Sequence, residues 1–255
     1  MLKKLRNRLC PEKNPAPVAD RTAAGRQNEK DRIAWIAAQL QMIPAGNRIL
    51  DAGAGELRYK PFCAHLEYVA QDFGSYDGQG DTAGLQTGSW DQSGIDIICD
   101  ITAIPVPDAS FDAILCAEVL EHVPEPELAL REFARILRPG GTLILTAPFC
   151  SLTHFAPYHF HTGFSRYYWE DRLRRYGFTA GEISPNGNFF EFLAQELRRV
   201  PSTASRYTAD SPDAEEQNAV NTVLNMLGRM SAEDAGSHEL LCFGYHVAAR
   251  KGDGA

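Results

Sequence analysis

The sequence predicts an α/β protein built on a doubly wound, mostly parallel sheet. Short apolar runs alternate with amphipathic ones at the spacing of βαβ units. The run Phe111 to Cys116 (FDAILC) is apolar in the manner of a parallel strand covered on both faces. The stretch RILDAGAGELRY, Arg48 to Tyr59, is an apolar strand that ends in an acid and a Gly-x-Gly turn. Such a turn lets the backbone approach a ligand closely.

The elements follow in order. Asn28 to Leu40 reads as an amphipathic helix with Ile33, Ile36, Ala37 and Leu40 on one face, stopped by Pro44 and Gly46. Strand one is Arg48 to Asp51, and Pro61 makes any helix after its turn short or irregular. Glu67 to Gln71 is strand two, ending at Asp72. Phe73 to Gly94, with six glycines, reads as a long loop on the ligand side; packing against the domain is favoured over ligand cover for its Trp90. Ile95 to Cys99 is strand three and FDAILC strand four, which opens into AEVLEHV. Pro126 to Leu137 is a helix with Glu125 and Glu127 at its start. RPGG ends it before strand five, Thr142 to Thr146. Phe178 to Ile183 is strand six and Glu239 to Ala249 the final strand. Residues 184–238 between them form an insertion, with helices over Phe189 to Val200 and Ala214 to Met230 and a polar loop, Pro201 to Pro212. It is expected to wall the acceptor pocket; packing elsewhere, as a dimer surface, is the alternative.

Composition bounds the rest. The chain has 255 residues, 44% hydrophobic and 23% charged, enough for one domain over 21–255 behind a flexible basic segment, 1–20. A formal charge of −8 argues against nucleic acid as partner. Six scattered cysteines without a CxxC pair indicate a reducing, cytoplasmic setting. No apolar run is long enough for a transmembrane helix. MLKKLRNRLC places Leu2, Leu5 and Leu9 at near-helical spacing among basic residues. A frayed, solvated tail is favoured there over membrane-surface contact. The oligomeric state stays open.

The glycine turn narrows the ligand. A dinucleotide fingerprint wants a third glycine where Arg58 stands. Asp51 would also repel a pyrophosphate at the turn. The site suits a ligand that is cationic near the turn. Asp72 lies about 20 residues further on, where such folds keep a ribose-binding acid.

Four blocks stand in order: ILDAGAG, then DFG, then CDITAIPVPDASFDAILCAEVLEHV, then LRPGGTLILTAP. With them the chain resembles the class I S-adenosylmethionine-dependent methyltransferases of the methyltransferase-11 type, from about Arg48 to Gly177. The resemblance implies a Rossmann-like sheet of seven strands with the last antiparallel. It implies S-adenosylmethionine as cofactor and S-adenosylhomocysteine as product. Asp51, Gly53, Ala54 and Gly55 would hold the cationic methionine half, and Asp72 the ribose hydroxyls. Phe73 would pack on adenine, which Asp100 and Ile101 would also contact. Cys116, Ala117 and Glu118 would line the methionine end.

The acceptor side rests on SLTHFAPYHFHTGFSRYYW after strand five. Its His154, His159 and His161 are candidate catalytic residues, one of them a general base for an oxygen acceptor. Histidines that only bond loop backbone are the alternative. A metal reading of Cys150, His154, His159 and His161 is set aside, because the spacings match no compact zinc pattern. His122 reads as a loop-ordering residue. The expected function is methyl transfer to an oxygen of a small-molecule or glycan-type acceptor. The alternatives are a quinone or lipid-like acceptor, or a non-catalytic binder of the cofactor.

Overall fold

The sheet is built outward from β1 (Arg48–Ala52), whose Ile49, Leu50 and Ala52 have no exposed surface. That burial follows from parallel neighbours on both sides, β2 (Glu67–Asp72) and β4 (Phe111–Ala117). The computed structural model describes residues 23–252; the basic segment 1–20 lies outside them. A two-residue β3 (Ile97–Ile98) extends the sheet beyond β2. On the other side follow β5 (Leu137–Pro148), β7 (Gly244–Lys251) and β6 (Phe178–Asn186), giving seven strands in the order β3-β2-β1-β4-β5-β7-β6. β7 runs antiparallel to both of its neighbours, as expected of the last strand. The chain reverses its direction of travel between β1 and β4. In open α/β sheets that is where a crevice opens at the carboxyl ends of the strands.

Helices cover both faces. α1 (Asn28–Gln41) buries Ile36 and Leu40 against Ile49, Leu115 and Ile144. α2 (Pro126–Ile136) and α3 (Arg166–Arg175) put Leu130, Phe133, Trp169 and Leu173 on the other face, around Phe111 and Leu145. Each such large side chain contributes about 1.5–3 kcal/mol of apolar burial. α4 (Phe189–Tyr207) and α5 (Ala214–Ala232) make a smaller cluster of Ala24, Ala194, Leu224 and Leu227.

Several boundaries moved. α4 continues through Pro201 to Tyr207, where a polar loop was expected. A mid-helix proline costs about 3 kcal/mol. Contacts offset it: α4 packs along α5, and the Arg206 guanidinium binds the Gly84 and Thr82 carbonyls at 2.5 and 2.8 Å. Strand three shrinks because the Asp96 carboxylate takes the Ala70 N–H at 2.8 Å in place of a backbone carbonyl. The final strand starts at Gly244, since Ser237–Glu239 forms a 3-10 turn. After the glycine turn only a 3-10 turn forms, Lys60–Cys63, as Pro61 foretold.

Candidate active site

The crevice between β1 and β4 is walled by the ends of both strands. Gly53 takes φ +78°, and a Cβ there would meet Val119 Cγ2 at 2.4 Å. Only glycine lets the two strand ends approach so closely. Beneath the turn Asp51 is almost wholly buried, and Oδ2 accepts from the Tyr68 hydroxyl at 2.7 Å. Burial, helped by nearby Asp72, raises its pKa from 3.8 to about 7 against the lowering effect of that hydrogen bond. Asp72 at the end of β2 accepts the Gly55 and Gly74 amides at 3.0 and 2.9 Å, which bends the chain around its carboxylate.

A cavity of about 320 Å³ opens here. Its wall includes Gly53, Asp72, Phe73, Asp100, Ile101 and Glu118, all expected cofactor contacts. The loop after β2 adds Tyr76 and Trp90, stacked edge to face at 5.0 Å. Trp90 packs on Tyr76 and Phe155, the reading favoured for it, and its ring forms part of the cavity wall. Asp51, Ala54, Gly55, Cys116 and Ala117 stand behind the wall. Cys116 is fully buried core, where burial pushes its thiol pKa far up.

A second cavity of about 270 Å³ lies beside the first, and Glu118 and Phe155 line both. Both of these residues hold left-handed backbone, φ +55°. Such strain persists only where the surroundings impose it, commonly at functional sites. The Glu118 carboxylate pairs with Arg32 of α1 at 3.0 Å and accepts from Thr146 at 2.9 Å. Loop residues Leu85 to Thr87 form one wall; Phe192, Gln195, Glu196 and Arg199 of α4 form another. The insertion therefore borders this cavity through α4.

Between the cavities sits a cluster. His122 lines the first; His154 and the fully buried Glu121 line the second. The ring centroids of His122 and His154 are 4.6 Å apart, and those of His154 and His159 are 4.9 Å apart. The amides of Phe160 and His161 both donate to the Glu121 carbonyl, at 3.0 and 3.1 Å, clamping the two loops together. Burial drives the His122 pKa down to about 3. For His154 burial also acts downward, but Glu121 and the Leu152 carbonyl outweigh it and the net shift is upward. Burial, with His154 nearby, lowers His159. His161 stands apart: its Nε2 is 3.2 Å from the Pro124 carbonyl and its ring packs on Phe164. Sequence reasoning singled out the loop histidines, gave His122 of the EH pair a loop-ordering role, and left aside Glu121 and Arg32. The EH pair after strand four was the available signal for Glu121.

The chemistry of this wall fits a sulfonium nucleoside: carboxylates for an ammonium and for ribose hydroxyls, and aromatic faces for a purine. The fold is that of the Rossmann-like class I methyltransferases, and the residues present fit S-adenosylmethionine as cofactor. Residues 50–145 match the methyltransferase-11 family model, described as a methyltransferase domain. The demethylmenaquinone methyltransferase of Renibacterium salmoninarum is 35% identical over 159 residues, 61% of each chain. The ubiquinone biosynthesis O-methyltransferase of Xanthomonas axonopodis pv. citri is 33% identical over 118 residues, 45% of this chain and 48% of that one. The chain thus spans roughly half to three fifths of the length of these curated relatives. Among solved structures, the cyclase SpnF aligns at TM-score 0.54 and 20% identity, covering 90% of this chain and 85% of its own. A provisionally named sarcosine dimethylglycine methyltransferase from Galdieria sulphuraria aligns at 0.51 and 16%, covering 89% and 85%. At such identities the likeness speaks for the fold alone.

Proposed function

We propose that the protein moves the methyl group of S-adenosylmethionine to a hydroxyl oxygen of a small, polar, glycan-type acceptor. The observation that carries this is the paired cavities with the common wall of Glu118 and Phe155. One suits the donor, and the other offers Gln86, Gln195, Glu196 and Arg199 as partners for hydroxyl groups. In the transfer the acceptor oxygen attacks the methyl carbon in line. A C–O bond forms, the C–S bond breaks, and S-adenosylhomocysteine leaves. The acceptor proton must also go, and the cluster of Glu121, His122, His154 and His159 stands at the junction to promote its loss. The protein's main contribution is alignment, worth up to about 7–11 kcal/mol in favourable cases.

The names of the two curated relatives favour a second reading, a quinone-like acceptor. A third reading is a cofactor binder without transfer, since one fold carries more than one chemistry. Methyl-labelled donor with panels of hydroxylated sugars and of hydroquinones separates them. Labelled sugar ether with stoichiometric S-adenosylhomocysteine is expected. Label in the hydroquinones alone would overturn the acceptor class, and donor binding without demethylation on either panel would overturn transfer.

A further inference from the structure

Glu121 presents an unusual buried carboxylate. It has no exposed surface, and neither oxygen has a hydrogen-bond partner among the described residues. Burying an unpartnered carboxylate is costly, and in native structures such a group commonly answers to an ion or a ligand. Its surroundings are made of nitrogen donors. The Nε2 atoms of His122 and of His154 each lie 3.8 Å from Glu121 Oε1. Among the described residues, neither nitrogen of the neighbouring His159 has a hydrogen-bond partner. One ligand atom from each of the three histidines can be chosen so that all lie within 4.8 Å of one another.

The tautomers are set as well. His122 Nδ1 faces the Tyr158 carbonyl at 2.5 Å, and His154 Nδ1 faces the Leu152 carbonyl at 2.8 Å. A carbonyl only accepts, so each Nδ1 carries a proton and Nε2 is the atom that can offer a lone pair to the shared space. Metal-binding histidines are oriented in this way, by a carbonyl on the far nitrogen. A tetrahedral cation with ~2.0–2.1 Å bonds holds its ligands roughly 3.3–3.4 Å apart, so the Glu121 pairs with His122 and His154, at 3.8 Å, need to close by about half an ångström and the histidine pairs by at most about 1.5 Å. The ligands come from two clamped loops, which accounts for the absence of a compact spacing in the chain.

We propose that His122, His154, His159 and Glu121 bind a divalent transition-metal cation of the zinc type. Imidazole and carboxylate suit such an ion. Its place at the junction gives it a role that rests on the transfer reading above: a hydroxyl reaching a free coordination position loses its proton near neutral pH. The binding itself does not depend on that reading.

The test is titration of chelator-stripped full-length protein with Co2+, read by visible absorption, with Zn2+ displacement followed by calorimetry. One equivalent with the d–d bands of a four- or five-coordinate ion is expected. His159→Ala and Glu121→Gln should each weaken binding about tenfold or more, while His161→Ala binds as wild type. Donor affinity and near-ultraviolet circular dichroism, unchanged in the variants, show that they fold. No saturable cobalt site below about 100 μM, or a site that survives His154→Ala combined with His159→Ala, overturns the proposal. Full turnover by metal-free protein overturns the role in proton loss and leaves methyl transfer standing. Cobalt binding by a protein that transfers no methyl group would sink the transfer reading alone.

Discussion

Asp51 is held in two conflicting demands. Its burial under the glycine turn opposes its charge, raising the pKa from 3.8 to about 7. A donor with an ammonium group needs that charge. Affinity for S-adenosylmethionine should therefore rise as pH climbs through about 7 and then level off. Calorimetry from pH 6 to 8.5 checks this, and a flat wild-type profile would contradict it. For stability the sign is opposite. A carboxyl with a raised folded-state pKa stabilises most below its ordinary pKa, and that contribution is lost as pH rises through about 7. At about 1.4 kcal/mol per unit, the loss is up to a few kcal/mol. The ligand-free Asp51→Asn variant should thus unfold at higher denaturant than wild type at pH 8, with the gap closing towards pH 5, while its donor affinity falls. Among the histidines, position decides. His154→Ala should lower turnover by about 100-fold with donor affinity intact. His161→Ala, outside the cluster, should stay within about twofold of wild type. The sequence showed three loop histidines as equals. Nothing in their spacing says that Pro124 captures one and that Glu121 faces another.

One loop without a regular pattern and one helix border the second cavity. The loop of residues 73–94 has only a single bridge, Leu85 to His154, yet it lines both cavities. It is fastened by Arg206 near the end of α4, through the Thr82 and Gly84 carbonyls. That helix extends past Pro201 so that Arg206 can reach. Arg206→Ala should speed proteolysis within 73–94 and raise the acceptor KM with little change in kcat. An exposed contact of this sort is worth about 1 kcal/mol or less, so global stability should barely change. Unaltered cleavage rates would show that the loop is held by its aromatic packing alone. The helix periodicity in FFEFLAQELRRV was legible in the sequence. Its continuation through a proline was not, because local propensity disfavours it and only contacts with α5 and the loop compensate.

Across the molecule, order is uneven. The two sheet faces carry large clusters, whereas α4 and α5 contribute three buried residues to a small cluster completed by Ala24. Hydrogen exchange should find the amides of α4 and α5 opening before those of β1, β4 and β5, and donor binding should protect the 73–94 loop more than the insertion. Equal protection in all of them would mean that the insertion folds as one unit with the sheet.

The doubly wound sheet, the donor turn and the three strand-end acids could be read from the chain, because each rests on local chemistry. Apolar runs form covered strands, glycines allow the turn, and acids at strand ends fall on one edge of a parallel sheet. Which residues share a cavity was settled by the tertiary structure. Two loops separated by β5 and α2 bring Glu121 and His122 against His154 and His159. Close packing also turns Cys116 into core and leaves Asp51 one layer behind the wall. Spacing along a chain carries no information about such contacts, since they depend on how far the loops fold back over the sheet edge.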